Sequence, residues 1–242
     1  MTGVQTCALP ISITLLSVGE GHFRFVLGVR KDSPIRNLQD LRGKTVGALL
    51  GGDPYNAFSQ MLRHELGNAD PKAHNITVVN TPTQAQAATI PTGMDAAVLI
   101  HPAYLKANAE IGTTAIMNSF GYTEDHYDGP AGKGAGHLLA SVKKSQFFPD
   151  GYYLHRSFWI GRTGFLEQHP NVVAAFITAQ QQAVATLTTM DPGEVSQLVK
   201  QYWKLDPTAG AKVVKDDVLF ARGWSWPTEK DALAILESSK YM

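Results

Sequence analysis

Apolar and polar positions along the chain switch between a period of two and a period near 3.6. Ile13-Thr-Leu-Leu-Ser-Val18 is apolar and partly β-branched, and Phe23-Arg-Phe-Val-Leu-Gly-Val-Arg30 alternates before turning continuously apolar. Both read as strands, and the continuous run predicts burial on two faces for the second. Lys31-Asp-Ser-Pro34 is a turn, because a residue before proline avoids the helical region. Residues 35–41 give one or two helical turns, stopped by Gly43. A strand over 44–50 runs into Gly51-Gly52-Asp53-Pro54, and a helix over 54–66 carries Ala57, Phe58, Met61, Leu62 and Leu66 on one face. In that turn Asp53 suits the N-cap and Pro54 the first helical position.

The alternation continues. Residues 75–80 read as a strand, Thr81 or Thr83 caps a short helix through Ile90, and Met94-Asp-Ala-Ala-Val-Leu-Ile100 is the next strand. His101-Pro102 opens a helix to about Glu110, and 113–118 is a further strand. Strands alternating with helices in this way predict an open, mostly parallel sheet covered by helices. The pattern breaks at 119–136, a loop rich in glycine and longer than an ordinary connection. A strand over 152–161 follows. The rest is helical, over about 170–189, 191–203, 207–221 and 227–240, with Asp191-Pro192, Asp206-Pro207 and Trp226-Pro227 marking three starts.

Composition narrows the class. The chain has 242 residues, enough for one large domain or two lobes with a real core. With 21 basic and 21 acidic side chains it lacks the basic field of a nucleic-acid binder. At 44% hydrophobic and 17% charged it is a folding composition, neither disordered nor collagenous. No apolar run reaches the roughly 18 residues of a membrane-spanning helix. Cys7 is the single cysteine, so no internal disulfide framework exists.

Catalytic and cofactor motifs fail on inspection. Leu41-Arg-Gly-Lys-Thr45 ends like a phosphate loop, but Leu38 stands where its first glycine belongs. His64-Glu65 begins like a zinc-protease helix, but Asn68 replaces the second histidine. Gly132-Lys-Gly-Ala-Gly136 lacks the last glycine of a dinucleotide fingerprint. No cofactor, metal or catalytic constellation is expected. Three features remain. Gly51-Gly52-Asp53-Pro54-Tyr55 joins a strand to a helix, where glycines and free amides suit either a close-approaching polar ligand or a plain capped turn. The Asp53 carboxylate disfavours a bare oxyanion and favours an amine or hydroxyl. His101 and Tyr104 follow a strand's carboxyl end, where open α/β sheets bind ligands, though a capping or partly buried histidine fits the same spacing. Tyr152-Tyr-Leu-His-Arg-Ser-Phe-Trp159 is dense in aromatics that line a cleft or, equally, fill a core.

These residues carry a family resemblance. Val29-Arg-Lys-Asp-Ser-Pro34, Asp40-Leu-Arg-Gly-Lys-Thr-Val46, Thr92-Gly-Met-Asp-Ala-Ala-Val98 and Phe165-Leu-Glu-Gln-His-Pro-Asn-Val-Val173 resemble the solute-binding proteins of ABC importers for nitrate, sulfonate, taurine and pyrimidine precursors. The resemblance covers about 20–205. It implies an α/β periplasmic-binding-protein fold of two lobes with open, mostly parallel sheets and a helical C-terminal part. By the resemblance, 12–30 is a first-lobe remnant and hinge strand, 31–151 the second lobe, and 152–242 the return strand and helices of the first lobe. It implies no enzymatic chemistry and an extracytoplasmic setting. Its partners are a small polar or aromatic-containing ligand, of sulfonate, carboxylate or pyrimidine-like type, and a membrane permease. It implies ligand contacts at Gly51, Gly52, Asp53, Tyr55, His101 and Tyr104, with Arg156 near the hinge. Pyrimidine-synthesis enzymes of thiamine metabolism and regulator effector domains share the motifs and stand as alternatives. Residues 3–11 resemble the translation of a sequencing adapter, so 1–11 is set aside, and the opening of the first lobe and any signal peptide are expected upstream of Ser12. A first lobe incomplete in this way leaves an open sheet edge and favours self-association.

Overall fold

A computed structural model describes residues 12–20, 25–119, 156–204, 224–225, 229, 232–233 and 236. The helices expected over 207–221 and 227–240, nearly all of the loop 119–136 and the residues 152–155 lie outside or mostly outside these. The strands are β1 (Ile13–Glu20), β2 (Phe25–Val29), β3 (Thr45–Ala48), β4 (Thr77–Asn80), β5 (Ala96–Ile100), β6 (Thr114–Asn118), β7 (Arg156–Arg162) and β8 (Trp224–Ser225). The helices are α1 (Asp53–Leu66), α2 (Gln84–Ala88), α3 (His101–Ile111), α4 (Thr163–Gln168), α5 (Pro170–Thr189) and α6 (Pro192–Trp203).

Five strands form one sheet in the order β4-β3-β5-β2-β6. β3 is parallel to β4 and to β5, whereas β2 is antiparallel to both β5 and β6. The strands other than β2 therefore run in one direction, as the alternation of strands and helices predicts. The strand expected to be buried on two faces is so: all five residues of β2 are buried. The reason is its interior place, between β5 and β6.

Period-two alternation divides the strand side chains between two cores. Phe25, Leu27 and Val29 of β2, Val46 and Ala48 of β3, and Ala96 and Val98 of β5 pack on one face beneath Ala57, Phe58, Met61 and Leu62 of α1. Val26, Ala97 and Leu99 pack on the other face with Ala87 and Ala88 of α2 and Tyr104 and Ala107 of α3. Burying a side chain the size of Phe58, Met61 or Leu62 contributes about 1.5–3 kcal/mol each, so α1 is held by its apolar stripe more than by intrinsic propensity. Gly67 ends it in the left-handed conformation at φ 81°. At the amino edge, Asp95 locks β3 to β5: its Oδ2 accepts from the Thr45 amide at 2.8 Å and its own amide donates to Thr45 O at 2.8 Å.

The second sheet has the order β7-β1-β8 and is antiparallel. Trp159 of β7 meets Phe176 of α5 edge-on, with ring centroids 5.1 Å apart. Leu15 pairs with Ile160, so the two share a face with Ile13, and all three side chains are exposed. Helix α5 occupies the expected span to the residue.

The close approach of the second core to β3 yields a direct test. A Cβ built on Gly47 lies 2.6 Å from Met94 Cε and 3.0 Å from Thr81 Cγ2. Gly47→Val overpacks that wall and is expected to cost about 1–3 kcal/mol, read as a lower urea midpoint with an unchanged m-value. A midpoint equal to that of the unsubstituted chain would show that Met94 and Thr81 are not packed against Gly47 as described.

Candidate functional site

Adjacent parallel strands whose following helices cover opposite faces leave a crevice at their carboxyl ends. β3 and β5 are such a pair. β3 leads into α1 over the first core, and β5 leads into α3 over the second. Val46 pairs with Ala96 and Gly47 with Ala97, and both strands lead from there to their helix starts, Gly52 and Ile100. The paired register stops at Gly47 and Ala97, so the strand tips continue without each other's hydrogen bonds.

Both tips end on a helix start of the same design. Gly52 is the N-cap of α1 and Ile100 the N-cap of α3, both extended, and neither supplies a side-chain cap; a proline stands at the second helical position in each, Pro54 and Pro102. Neither glycine nor isoleucine has a side chain that can cap a helix, and proline has no N–H to satisfy. Two positive helix ends converge on one crevice from opposite sides of the sheet. The Asp53 N-cap expected from sequence gives way here. Gly52 takes the extended capping conformation (φ −123°, ψ 176°), which moves Asp53 to the first helical residue, still within the first turn and exposed. Gly51 turns the chain at φ 74°, a conformation that suits glycine. Gly52 lies against Leu49, whose Cδ2 would be 2.9 Å from any added Cβ.

The other expected contacts are placed as follows. Tyr55 is half-buried and packs against the first core. His101 is fully buried and Tyr104 is 4% exposed; their rings stack at 6.4 Å and 15°. These two form the floor on the α3 side rather than an open wall. Arg156 opens β7 opposite Glu20 in the antiparallel sheet, and its side chain lies outside the described residues. Gly51, Gly52, Asp53 and Tyr55 thus meet His101 and Tyr104 at one sheet edge, and Arg156 is not brought there by that sheet.

Three polar residues at the same edge escape sequence analysis. Asn80 Oδ1 accepts from the Leu50 amide at 3.0 Å, and Gln84 Oε1 accepts from the Ile100 amide at 2.7 Å. Each strand tip is therefore met by a carboxamide, one from the last residue of β4 and one from the first residue of α2. Asn56, one turn into α1 and 6% exposed, has a buried Oδ1 without a partner. The signal for the first two is the pair of carboxamides that brackets the Thr83 cap, which sequence analysis read only as a helix start. Thr83 does cap α2, accepting from the Gln86 amide at 3.1 Å. Among the described residues no group of three or more His, Cys, Asp and Glu side chains is placed to hold a metal ion. A hollow lined by Leu38, Arg42, Leu66 and His74 lies at the far end of α1, away from the crevice.

With that geometry in place, the relatives are informative. No curated protein sequence matches the chain. Among solved structures, the fold is similar to a putative periplasmic sulfonate-binding protein SsuA from Methylobacillus flagellatus KT (19% identity, TM-score 0.61, covering 95% of this chain and 60% of that one). It is similar to the alkanesulfonate-binding protein SsuA from Xanthomonas axonopodis pv. citri bound to MOPS (16% identity, TM-score 0.65, covering 96% and 67%). It is also similar to the desulfurization enzyme DSZB (17% identity, TM-score 0.57, covering 97% and 73%). The chain spans 60% of the length of the first of these and 67% of the second. The α/β architecture expected from the motifs is that of these binding proteins. The model of the NMT1/THI5-like family matches residues 14–194, three quarters of the sequence, and the chain belongs to that family.

Proposed function

We propose that this chain is the solute-binding component of an ABC importer, acting outside the cytoplasm and delivering a small polar or aromatic-containing metabolite to a membrane permease. The observation that carries this reading is the crevice between β3 and β5, where two helix starts without side-chain caps and a glycine turn meet at one sheet edge. Such an edge offers backbone amides at close range, which bind without any catalytic group. Asp53 adds an acceptor in the first turn of α1. A solute with an amine, hydroxyl or ring N–H toward Asp53 fits this better than a bare oxyanion, because a second negative charge would be repelled. Sulfonates bearing an amine, amino-acid-like carboxylates and pyrimidines meet that requirement. Tight capture belongs to closure of a second lobe over the crevice. Among the described residues no helix is long and apolar enough to cross a membrane.

A second reading is an enzyme, favoured by the likeness to DSZB. Incubating the chain with each solute that binds, and recovering the solute by mass spectrometry, separates the two: the binding reading expects every solute back unchanged.

The binding reading expects the 242-residue chain to gain thermal stability with one class of solute from a panel of sulfonates, carboxylates, pyrimidines and amino acids. At about 100 times Kd the gain is about 2.7 kcal/mol. Asp53→Ala and His101→Ala are expected to reduce that gain. A gain unchanged in both variants would place the solute elsewhere. The exposed Ile13, Leu15 and Ile160 on one face of the antiparallel sheet also support self-association. Light scattering is expected to show dimers or larger species at micromolar concentration, and a monomer throughout would count against it.

A further inference from the structure

We propose that Gln84, through its side-chain Nε2, is the residue that recognises an oxygen acceptor on the solute, deepening the binding reading above and resting on it. Gln84 comes from α2, which packs on β5 and α3 over the second core, so its side chain reaches the tip of β5 from the face opposite α1. Its Oε1 is committed to the Ile100 amide at 2.7 Å, one residue before His101. That bond fixes which end of the carboxamide faces the strand tip and which does not. The opposite end, Nε2, is sealed from solvent and has no hydrogen-bond partner. Two residues share this condition on the same face: the Thr81 hydroxyl, next to the end of β4, is buried and unpartnered, while its methyl lies against Gly47 and beside Met94.

A buried N–H donor without an acceptor is uncommon in folded proteins and carries an uncompensated desolvation cost, which an oxygen brought to it would relieve. The orientation is not free to adjust. Flipping the amide would give Nε2 to the Ile100 N–H, two donors facing each other, so the hydrogen bond to Ile100 fixes Nε2 as the end that is left to meet an acceptor. The crevice is thus polar in opposite senses on its two sides. The α1 side offers the Asp53 carboxylate, and the α2 side offers an amide donor. The matching solute carries an N–H or ammonium group together with a sulfonate, carboxylate or carbonyl oxygen.

Gln84→Glu keeps the acceptor for Ile100 and turns the donor into a second acceptor, whereas Gln84→Met removes both. With MOPS, acetate and uracil as probes, titration calorimetry on the full chain is expected to show the binding probe weakened at least about tenfold in both variants. The Gln84 side-chain NH2 signals, assigned by their loss in Gln84→Met, are expected to move downfield when that probe saturates the unsubstituted chain. Unchanged affinity in Gln84→Met together with lost affinity in Asp53→Ala would overturn this proposal and leave the site standing. Gln84 NH2 signals already hydrogen-bonded in the free protein would overturn it without any ligand. Absence of binding by every probe to the unsubstituted chain would remove the site and this proposal together.

Discussion

β3 and β5 share a short parallel ladder, and the place where it stops organises everything around it. Within the ladder the backbone groups satisfy each other, and the side chains divide between two apolar cores. Beyond it the two tips are no longer paired with each other. Exposed peptide groups near a core must find partners, and here they find carboxamides, Asn80 for one tip and Gln84 for the other. The amino end of the same pair shows the contrasting solution. Asp95 closes it from both directions with bonds to Thr45, so nothing is left over. One end of the strand pair is sealed and the other is held open by side chains.

The helix starts extend this logic. A serine, threonine or asparagine at position 52 or 100 would fold back on the first-turn amides and use up their hydrogen-bonding capacity. Glycine and isoleucine cannot. Proline at the second helical position removes one donor from each first turn and stiffens the entry. The sequence thereby keeps two positive helix ends pointed at the same crevice, and α2, whose Thr83 caps it conventionally, shows that the chain has the residues to do otherwise.

Much of this is legible in the sequence, because periodicity carries it. The continuous apolar run of β2 reads as a strand with both faces covered, and α5 occupies the residues that its apolar period marks. The glycine turn before α1 is legible from its composition. What sequence does not carry is register. Asp53 next to proline looks like an N-cap until the φ and ψ of Gly52 assign that place to the glycine. His101 at a strand end looks like a cleft residue, but in the fold its ring is buried and stacks on Tyr104. Asn80 and Gln84 are invisible for the same reason. Their roles depend on which backbone amides lie across from them, and those belong to residues 30 and 16 positions further from them along the chain.

The interior position of β2, between β5 and β6, has a kinetic side. Its residues are made before those of any other strand of the five-stranded sheet, yet its neighbours on both sides are the last: Phe25 pairs with Ile100, and Val26 with Asn118. Until β5 and β6 have emerged, the largely apolar segment Phe25–Val29 has no native edge to join. A ribosome adding about 5–20 residues per second leaves that segment unpaired for several seconds. The parallel β3–β4 unit with α1 can assemble during this interval, but it presents the β3 edge that β5 must later occupy. The strand best protected in the finished molecule is therefore the one most exposed to wrong partners while the molecule is being made, and slowing its neighbours' synthesis would harm folding more than slowing its own.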